Sequence, residues 1–283
     1  MKLPFTKMQG AGNDFVLLNA MDRPIEHLSE IAKKLCNRRF GIGADQMLVA
    51  APSDQGDFRM DIYNADGGKV EMCGNGIRCF VKYVHDLKLT SKTALAVETM
   101  AGMIYPEIIS SHPKNRHDTV WVKVDMGKPI LEGREIPVNR DGLVINQPLR
   151  PMGMDQFKIT CVSMGNPHCV IFVGDVADIS VEEVGPQIEN DPFFPNRVNV
   201  EFVQIVDKKN IRLRVWERGV GETYACGTGA CAVVVASVLN NKTDRSVTAH
   251  LRGGDLEIFW DEGSGSVFKT GPATTVFEGE IEI

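Results

Sequence analysis

The chain has 283 residues, of which 43% are apolar and 24% charged, and this length and composition predict a soluble globular protein of two domains. The formal net charge is −6 and no cluster of Lys and Arg occurs, which argues against nucleic acid as a partner. Polar residues and Pro4 interrupt the N-terminal region where a signal peptide needs an unbroken apolar core, and no apolar run could span a bilayer, so we expect a cytoplasmic protein with no membrane partner.

Short segments rich in Val, Ile and aromatic residues dominate the chain and predict β-strands. In chain order they are DFVLLNA (14–20), QMLVAAP (46–52), FRMDIYNA (58–65), TALAVETM (93–100), TVWVKVDM (119–126), HCVIFVG (168–174), VNVEFVQIV (198–206), IRLRVWER (211–218), LEIFW (256–260), SVFKTG (266–271) and the tail GPATTVFEGEIEI (271–283). Several alternate apolar and polar residues, so one sheet face is expected to meet water.

Three segments have the residue spacing of helices. The segment 25–41 carries one apolar face, and the segment 76–88 has apolar residues at helical spacing from Ile77 to Leu87. The segment 229–241, GACAVVVASVLNN, is apolar nearly all round, which predicts a buried helix. Few helices among many strands indicate the α+β class.

The chain has seven cysteines, at positions 36, 73, 79, 161, 169, 226 and 231. An odd number without a secretory signal argues against a disulfide framework. No CxxC pair occurs, so the spacing does not favour a structural zinc site, and we expect no metal. The cysteines are therefore either buried packing residues or reactive thiols.

Two cysteines stand in a motif that occurs twice. MCGNGIRCF (72–80) and ACGTGACAV (225–233) place Cys73 and Cys226 153 positions apart (226 minus 73). The same offset pairs Asn13 with Asn166, Gln46 with Asn199, and Asn64 with Glu217. Four motifs that keep one offset indicate two similar halves that arose by duplication, since a period this long is not that of a solenoid.

Gly and Pro concentrate at 126–135, which predicts the boundary between the halves. We expect domains at 1–127 and 128–271, with a final strand at 272–283 that returns to the first half. Each half is predicted to be a curved, mainly antiparallel, barrel-like sheet around a central helix. The two pseudo-symmetric halves are expected to face each other across a cleft that holds the active site.

In both halves the thiol precedes a predicted buried helix. A helix start leaves backbone N–H groups without partners and carries partial positive charge, which favours a thiolate and attracts carboxylates. The expected carboxylate donors are the N–H groups of Gly74, Asn75, Gly227 and Thr228. Inversion of an α-carbon needs an acid and a base on opposite faces, so Cys73 and Cys226 are predicted to exchange these roles as thiolate and thiol. Packing of a small buried cysteine is the alternative for either motif alone.

Amide side chains fill most of the other paired positions and are candidates for orienting a ligand, with turn formation as the alternative. They are Asn13, Gln46, Asn64, Asn166 and Asn199. The symmetry breaks at Glu217 and at His168, whose counterpart is Phe15. Glu217 and His168 are predicted to tune Cys226 or to bind an amino group, although a lone histidine is often structural. Arg218 offers a planar fork for a second carboxylate, or is a surface arginine.

Five motifs together resemble the diaminopimelate epimerase family. They are GAGNDF (10–15), GIGADQ (41–46), MCGNGIRC (72–79), MGNPH (164–168) and ERGVGETYACGTGACA (217–232). The tail also resembles the end of that family, and the resemblance covers essentially the whole chain. It implies a cofactor-independent (PLP-independent) isomerase that converts LL-2,6-diaminopimelate to the meso form, on the route to lysine and peptidoglycan precursors.

The resemblance also implies roles for individual residues. Cys73 and Cys226 are implied to be the acid/base thiols, and His168 and Glu217 auxiliary catalytic residues. The implied substrate-binding residues are Asn13, Gln46, Asn64, Asn166, Asn199, Glu217, Arg218 and the turns Gly74–Asn75 and Gly227–Thr228. The resemblance further implies a homodimer.

Three other readings of the cysteines remain open. The nearest is another two-cysteine racemase, for proline or hydroxyproline, on the same duplicated fold. Arg218 and the many amides favour a long substrate with two carboxylates over that alternative. The others are a redox or metal-binding protein that uses the same thiols, and a pyridoxal enzyme.

Overall fold

The structure, a computed structural model, describes residues 2–116 and 118–282. Met1, His117 and Ile283, which fall in the predicted domain and tail ranges, lie outside the described residues. The described residues up to Asp125, together with those from Thr270 onward, form one compact unit, and Met126–Lys269 form a second. The domain ranges expected from the sequence place each boundary two residues later. No helix in the described part of the chain is long and apolar enough to cross a membrane.

The described residues of the first unit contain nine strands that lie wholly within it, and two helices. They are β1 Lys2–Gly10, β2 Asn13–Asn19, α1 Leu28–Cys36, β3 Gln46–Ala51, β4 Phe58–Asn64, β5 Lys69–Val70, α2 Gly76–Asp86, β6 Val97–Thr99, β7 Gly102–Ile104, β8 Glu107–Ile108 and β9 Thr119–Asp125.

The described part of the second unit contains eight strands that lie wholly within it, two α-helices and a 3₁₀ turn. Its elements are β10 Gln147–Leu149, β11 Phe157–Ser163, β12 Pro167–Phe172, a 3₁₀ turn Val176–Asp178, α3 Val181–Glu189, β13 Asn199–Ile205, β14 Asn210–Glu217, β15 Gly221–Thr223, α4 Gly227–Leu239, β16 Ser246–Leu251 and β17 Gly254–Trp260. The last strand, β18 Val267–Glu282, begins in the second unit and ends in the first, where it pairs antiparallel with β1.

The two units pair their strands in the same order. In the first unit β1–β2 is antiparallel, β2–β3 parallel, β3–β4 antiparallel, β4–β6 parallel and β6–β7 antiparallel. In the second unit β11–β12, β12–β13, β13–β14, β14–β16 and β16–β17 repeat these directions. Phe15 lies opposite Gln46, and their counterparts His168 and Asn199 also lie opposite each other. The predicted fold class, two pseudo-symmetric α+β halves with mainly antiparallel curved sheets, is confirmed.

One helix of each unit packs against several strands of that unit. α2 contacts β1, β2, β3 and β9, and its residues from Gly76 to Val84 are buried. α4 contacts β11, β12, β13 and β17, and its residues from Gly229 to Ser237 are buried. A helix satisfies its own backbone hydrogen bonds, so it can lie in an apolar interior. Leu87, predicted on the apolar face of α2, lies beyond the end of that helix and is 40% exposed.

Helix α3 is an element that the sequence analysis missed, because Gly185 and Pro186 interrupt its helical pattern. A Cβ on Gly185 would stand 2.5 Å from Cγ of Trp216, so the absence of a side chain lets α3 pack against β14. The offset of 153 leads from Leu28, the first residue of α1, to Val181, the first residue of α3. The repeat therefore indicates a helix at this position, although the local helix propensity does not.

The strands differ from the predicted ones in a few places. β11 and β16 were not predicted although their residues largely alternate between apolar and polar, and β1, which contains Pro4, was not predicted either. The short strands β5, β7, β8, β10 and β15 were also not predicted. The segment predicted as a strand at 93–100 is extended only at Val97–Thr99. The two strands predicted after residue 265 form one strand, β18, because Gly271 and Pro272 continue it without a turn.

Candidate active site

Cys73 stands three residues before α2, and the start of that helix holds its thiol. The N–H of Gly76 donates to Cys73 Sγ at 3.4 Å, and the N–H of Ile77 donates to the Cys73 carbonyl at 3.0 Å. The thiol lies 3.7 Å from Asn13 Oδ1. We define the first half-site as Cys73, Asn13, Gln46, Asn64 and the turn Gly74–Asn75.

A network of charged residues that the sequence did not reveal orients Asn13. Asn13 Nδ2 donates to Asp45 Oδ2 at 2.7 Å, and Arg38 bridges Asp45 and Asp14 at 2.8 and 2.7 Å. Lys7 binds Asp14 at 2.6 Å. Burial alone would raise the pKa of Asp14, but the hydrogen bonds from Arg38 and Lys7 outweigh it and hold that pKa well below its usual range. Because Asp45 accepts a hydrogen bond from the NH₂ group of Asn13, the amide oxygen of Asn13 is oriented toward the Cys73 thiol.

Gln46 and Asn64 lie opposite each other on β3 and β4. Gln46 Nε2 donates to Asn64 Oδ1 at 2.9 Å. Gln46 Oε1 is buried and has no hydrogen-bond partner within the described residues. A buried acceptor without a donor is costly, so this oxygen is a candidate acceptor for a ligand's ammonium group.

Arg78 fixes the turn before α2, which sequence reasoning did not foresee. Its guanidinium donates to the Gly74 carbonyl at 3.1 Å, to Asn75 Oδ1 at 3.0 Å and to the Pro272 carbonyl at 3.2 Å. The residue is fully buried on α2. Arg78 thereby connects the turn that carries Cys73 to β18. The sequence did not indicate this contact, because an arginine on a helix is normally expected to face solvent. Cys79, one residue later, is also fully buried, and burial raises its thiol pKa to about 12, as fits a packing residue.

Cys226 repeats the geometry of Cys73 as the N-cap residue of α4. The N–H of Gly229 donates to Cys226 Sγ at 3.4 Å, the distance found in the first unit. The N–H of Ala230 donates to the Cys226 carbonyl at 3.0 Å, and the Thr228 hydroxyl lies 3.5 Å from Sγ. We define the second half-site as Cys226, Asn166, His168, Asn199, Glu217, Arg218 and the turn Gly227–Thr228.

The environment of Cys226 favours the thiol over the thiolate. Burial, followed by the carboxylates of Glu217 and Glu201, raises the pKa of this thiol well above its ordinary value. Hydrogen bonds from Thr228 and the Gly229 N–H act in the opposite direction. The sequence predicted that the helix start would lower the pKa, but the side chain is only 4% exposed and burial is the stronger effect.

Asn199 holds the strand end that carries Glu217 and Arg218. Asn199 Oδ1 accepts from the Arg218 N–H at 2.9 Å, and the Arg218 guanidinium donates to the Asn196 carbonyl at 3.0 Å. Glu217 Oε1 accepts from the Thr223 hydroxyl at 2.6 Å. The end of β14 therefore holds one carboxylate and one guanidinium next to each other in the chain.

His168 is fully buried, and protein atoms engage both of its ring nitrogens. Nδ1 lies 2.6 Å from Glu201 Oε1, and Nε2 lies 3.0 Å from Asn166 Oδ1. Glu201, on β13, was not singled out from the sequence, although its repeat counterpart is Leu48. A buried strand position that is Leu in one half and Glu in the other is the signal that would have identified it.

The structure thus groups the candidates within each unit. In the first unit Asn13 contacts the Cys73 thiol, while Gln46 contacts Asn64. In the second unit Thr228 contacts Cys226, and the other candidates form two contacting pairs and one carboxylate that acts electrostatically on the Cys226 thiol. These are Asn166 with His168, Asn199 with Arg218, and Glu217. None of the seven cysteines is in a disulfide.

A family model described as diaminopimelate epimerase matches residues 5–132 and 160–276. A diaminopimelate epimerase from Leptospira biflexa is 51% identical over 285 residues, covering 100% of both chains. One from Acetivibrio thermocellus is 49% identical over 281 residues, covering 99% of this chain and 98% of that protein.

Solved structures of more distant proteins share the fold. A phenazine biosynthesis protein of the PhzF family from Bacillus anthracis has a TM-score of 0.70 at 17% identity, with full coverage of both chains. A hydroxyproline epimerase from Agrobacterium vitis has a TM-score of 0.63 at 13% identity, covering 99% of this chain and 91% of that one. At these identities the likeness concerns the architecture alone.

Proposed function

Because the chain belongs to the diaminopimelate epimerase family, we propose that this isomerase epimerises LL-2,6-diaminopimelate to the meso form with two cysteines and no cofactor. In this proposal Cys73 and Cys226 act on one α-carbon from opposite faces. One takes the α-proton as a thiolate, and the other delivers a proton as a thiol. The roles exchange with the direction of the reaction.

The observation that carries the proposal is the duplicated thiol geometry. Each thiol accepts from a helix-start N–H at 3.4 Å, and the residues involved keep the offset of 153. A packing cysteine in one half would not need to be repeated in this detail in the other. An inversion, by contrast, needs one proton-transfer group for each face of the substrate.

The remaining residues supply binding groups for a doubly charged amino acid. The turns Gly74–Asn75 and Gly227–Thr228, at the two helix starts, offer N–H groups to the carboxylate at the reacting centre, where charge develops. The buried oxygen of Gln46 is an acceptor for an ammonium group. Arg218 offers a fork for the distal carboxylate and Glu217 an anion for the distal ammonium.

The environment of Cys226 suggests which thiol starts as the acid. Burial raises its pKa, so we propose that Cys226 holds its proton in the free enzyme and delivers it when Cys73 is the base. His168 is proposed to act through its neighbours, since both of its ring nitrogens are engaged by protein atoms.

The test is epimerisation of LL-diaminopimelate in D₂O, followed by chiral analysis and mass spectrometry. The wild type should place one solvent deuterium on the α-carbon of the product. Cys73→Ala and Cys226→Ala should each lose at least about 10³-fold in kcat, because each removes one proton-transfer group. Cys79→Ala, a matched change of a buried cysteine on α2, should keep activity. Near-normal inversion by either of the first two variants would contradict the two-base mechanism.

A second candidate function is the racemisation of proline or hydroxyproline, because proteins with those names share the fold. A substrate panel of LL-diaminopimelate, proline and glutamate separates the two. We expect inversion of LL-diaminopimelate alone, since proline has no second carboxylate for Arg218 and neither proline nor glutamate has a distal ammonium group for Glu217.

We further propose a cytoplasmic homodimer that acts on a small molecule, in lysine and peptidoglycan precursor synthesis, without nucleic-acid or membrane partners. Light scattering of purified protein tests the dimer. An absorbance spectrum without a bound chromophore, together with full activity after dialysis against a chelator, tests the independence from pyridoxal phosphate and metal.

A further inference from the structure

Position 201 breaks the repeat at a buried contact with a helix start. In the first unit, a Cβ on Gly76 would stand 3.3 Å from the side chain of Leu48. In the second unit, a Cβ on the equivalent Gly229 would stand 2.9 Å from Glu201 Oε1. The second unit therefore places a carboxylate where the first has an apolar side chain. Burying a carboxylate is costly, so its presence calls for a specific role.

The hydrogen bonds of Glu201 fix where its protons are. Its Oε1 lies 2.6 Å from His168 Nδ1, and both side chains are fully buried. Its Oε2 is buried and has no hydrogen-bond partner in the described part of the chain. A bare anion in such a place would be unstable, so one proton is shared in the bond between Glu201 and His168.

The other nitrogen of His168 carries a second proton. Nε2 lies 3.0 Å from Asn166 Oδ1, and because an amide oxygen can only accept, this orientation of the amide assigns the donor role to Nε2. With one proton on Nε2 and one in the bond to Glu201, the pair is neutral overall. An unprotonated Nε2 would require the Asn166 amide to turn over and to present its NH₂ group to the ring.

We propose that Glu201 is a positioning residue that keeps a proton on His168 Nε2 and thereby turns the NH₂ group of Asn166 toward a substrate carboxylate. The Glu201 carboxylate at Nδ1 determines the tautomer of His168, and this tautomer determines the orientation of the Asn166 amide. The orientation of the amide in turn determines which substrate group can bind to it. The inference rests on the proposed function only in that Asn166 contacts the substrate.

The charged surroundings agree with a neutral pair. Burial raises the pKa of Glu201, His168 lowers it, and the neighbouring Glu217 on β14 raises it. The other titratable groups that face Glu201 are the thiols of Cys226, before α4, and Cys169, on β12. Neither thiol nor Glu217 supplies a positive charge, so His168 is the proton partner of Glu201.

The tautomer can be observed without any substrate. The full-length protein is labelled with ¹⁵N-histidine, and the signal of His168 is assigned by its loss in His168→Gln. We expect a protonated, pyrrole-type Nε2. A bare, pyridine-type Nε2 in the wild type would overturn the proposal. This measurement needs no variant of Glu201 to fold.

Kinetics of Glu201 variants test the consequence for binding. Glu201→Leu restores the residue of the first unit and removes the partner of Nδ1. We expect its KM to rise about tenfold with a smaller change in kcat, since one hydrogen bond to a charged group is lost. Glu201→Gln can donate to Nδ1 and keep the Nε2 proton, so its KM should stay within about threefold of wild type.

A matched control exists in the same unit. The ring of His250 lies 2.7 Å from Asp255 and 3.3 Å from Asn210 Oδ1, and water reaches this group. Asp255→Asn removes the carboxylate of this equivalent arrangement and should leave KM unchanged. A rise in KM equal to that of Glu201→Leu would show a general loss of stability and contradict the proposal.

A double-mutant comparison locates the effect. In an Asn166→Ala background, Glu201→Leu should raise KM no further, because Glu201 acts through the amide of Asn166. The same rise in both backgrounds would overturn the proposal.

The failure of this proposal can be told apart from the failure of the proposed function. If the wild type epimerises nothing, the proposed function fails while the ¹⁵N spectrum still decides the tautomer. If Nε2 is bare in an active enzyme, only the role of Glu201 fails.

Discussion

Glu189, the last residue of α3, links the fold of the second unit to its half-site. Its carboxylate accepts from Trp216 Nε1 at 2.7 Å, from the Gly219 N–H at 2.9 Å and from the Arg197 guanidinium at 3.2 Å. The side chain of Glu189 is only 6% exposed, so water cannot replace it readily. Gly219 directly follows Arg218 in the chain. We therefore expect Glu189 to hold the turn that carries the candidate carboxylate fork.

The cost of losing this carboxylate follows from its three partners. Glu189→Ala leaves the Trp216 indole N–H and the Gly219 N–H without their acceptor, and each loss costs about 1–3 kcal/mol. The guanidinium of Arg197 is 55% exposed, so its ion pair adds less than about 1 kcal/mol. We expect the free energy of unfolding to fall by about 3–4 kcal/mol and the Tm by about 10 °C. In the folded variant, a loosened turn should raise KM more than it lowers kcat.

Urea denaturation followed by circular dichroism and tryptophan fluorescence measures this loss. Two of the three tryptophans, Trp216 and Trp260, lie in the second unit, so the fluorescence reports mainly on its unfolding. Arg197→Ala is the matched control and should cost less than about 1 kcal/mol. The reasoning is refuted if Glu189→Ala is no more destabilising than Arg197→Ala.

Two further predictions concern a contact near a thiol and a buried titrating thiol. Gly229→Ala should lower kcat by about 10–100-fold, because its Cβ would stand 2.9 Å from Glu201 Oε1 and 3.2 Å from the Cys226 sulfur. Gly76→Ala, whose closest contacts are 3.3 Å, should lose less, and equal losses in two folded variants would contradict the steric explanation. Burial raises the pKa of Cys36 from 9.0 to about 11, so its neutral thiol contributes stability below pH 9 that is lost as the pH rises through 11. Urea titrations between these pH values should show a drop of about 2 kcal/mol that is absent in Cys36→Ala, and parallel profiles of the two proteins would count against it.

Local patterns were sufficient for most elements but failed where packing overrides propensity. The alternation in IRLRVWER predicted β14, and the apolar run after Cys226 predicted α4. α3 was missed because Gly185 and Pro186 are poor helix formers, and its stability comes from packing on Trp216. β18 was divided in two because Gly271 and Pro272 usually mark a turn, whereas the strand continues through them and pairs with β1 from Thr274 onward.

The amino-acid sequence was sufficient to predict the duplication and the pairing of Cys73 with Cys226, because a constant offset is a property of the chain and needs no coordinates. The resemblance of five motifs was sufficient to predict the family. The groups that surround those residues could be found only from the folded structure. His168, the partner of Glu201, and Pro272, one of the partners of Arg78, are distant from them in the chain, so no local pattern predicts these contacts. Burial likewise decides that the pKa of Cys226 rises although a helix start would lower it. The physical reason is that desolvation depends on everything packed around a group, whereas the helix start depends only on its neighbours in sequence.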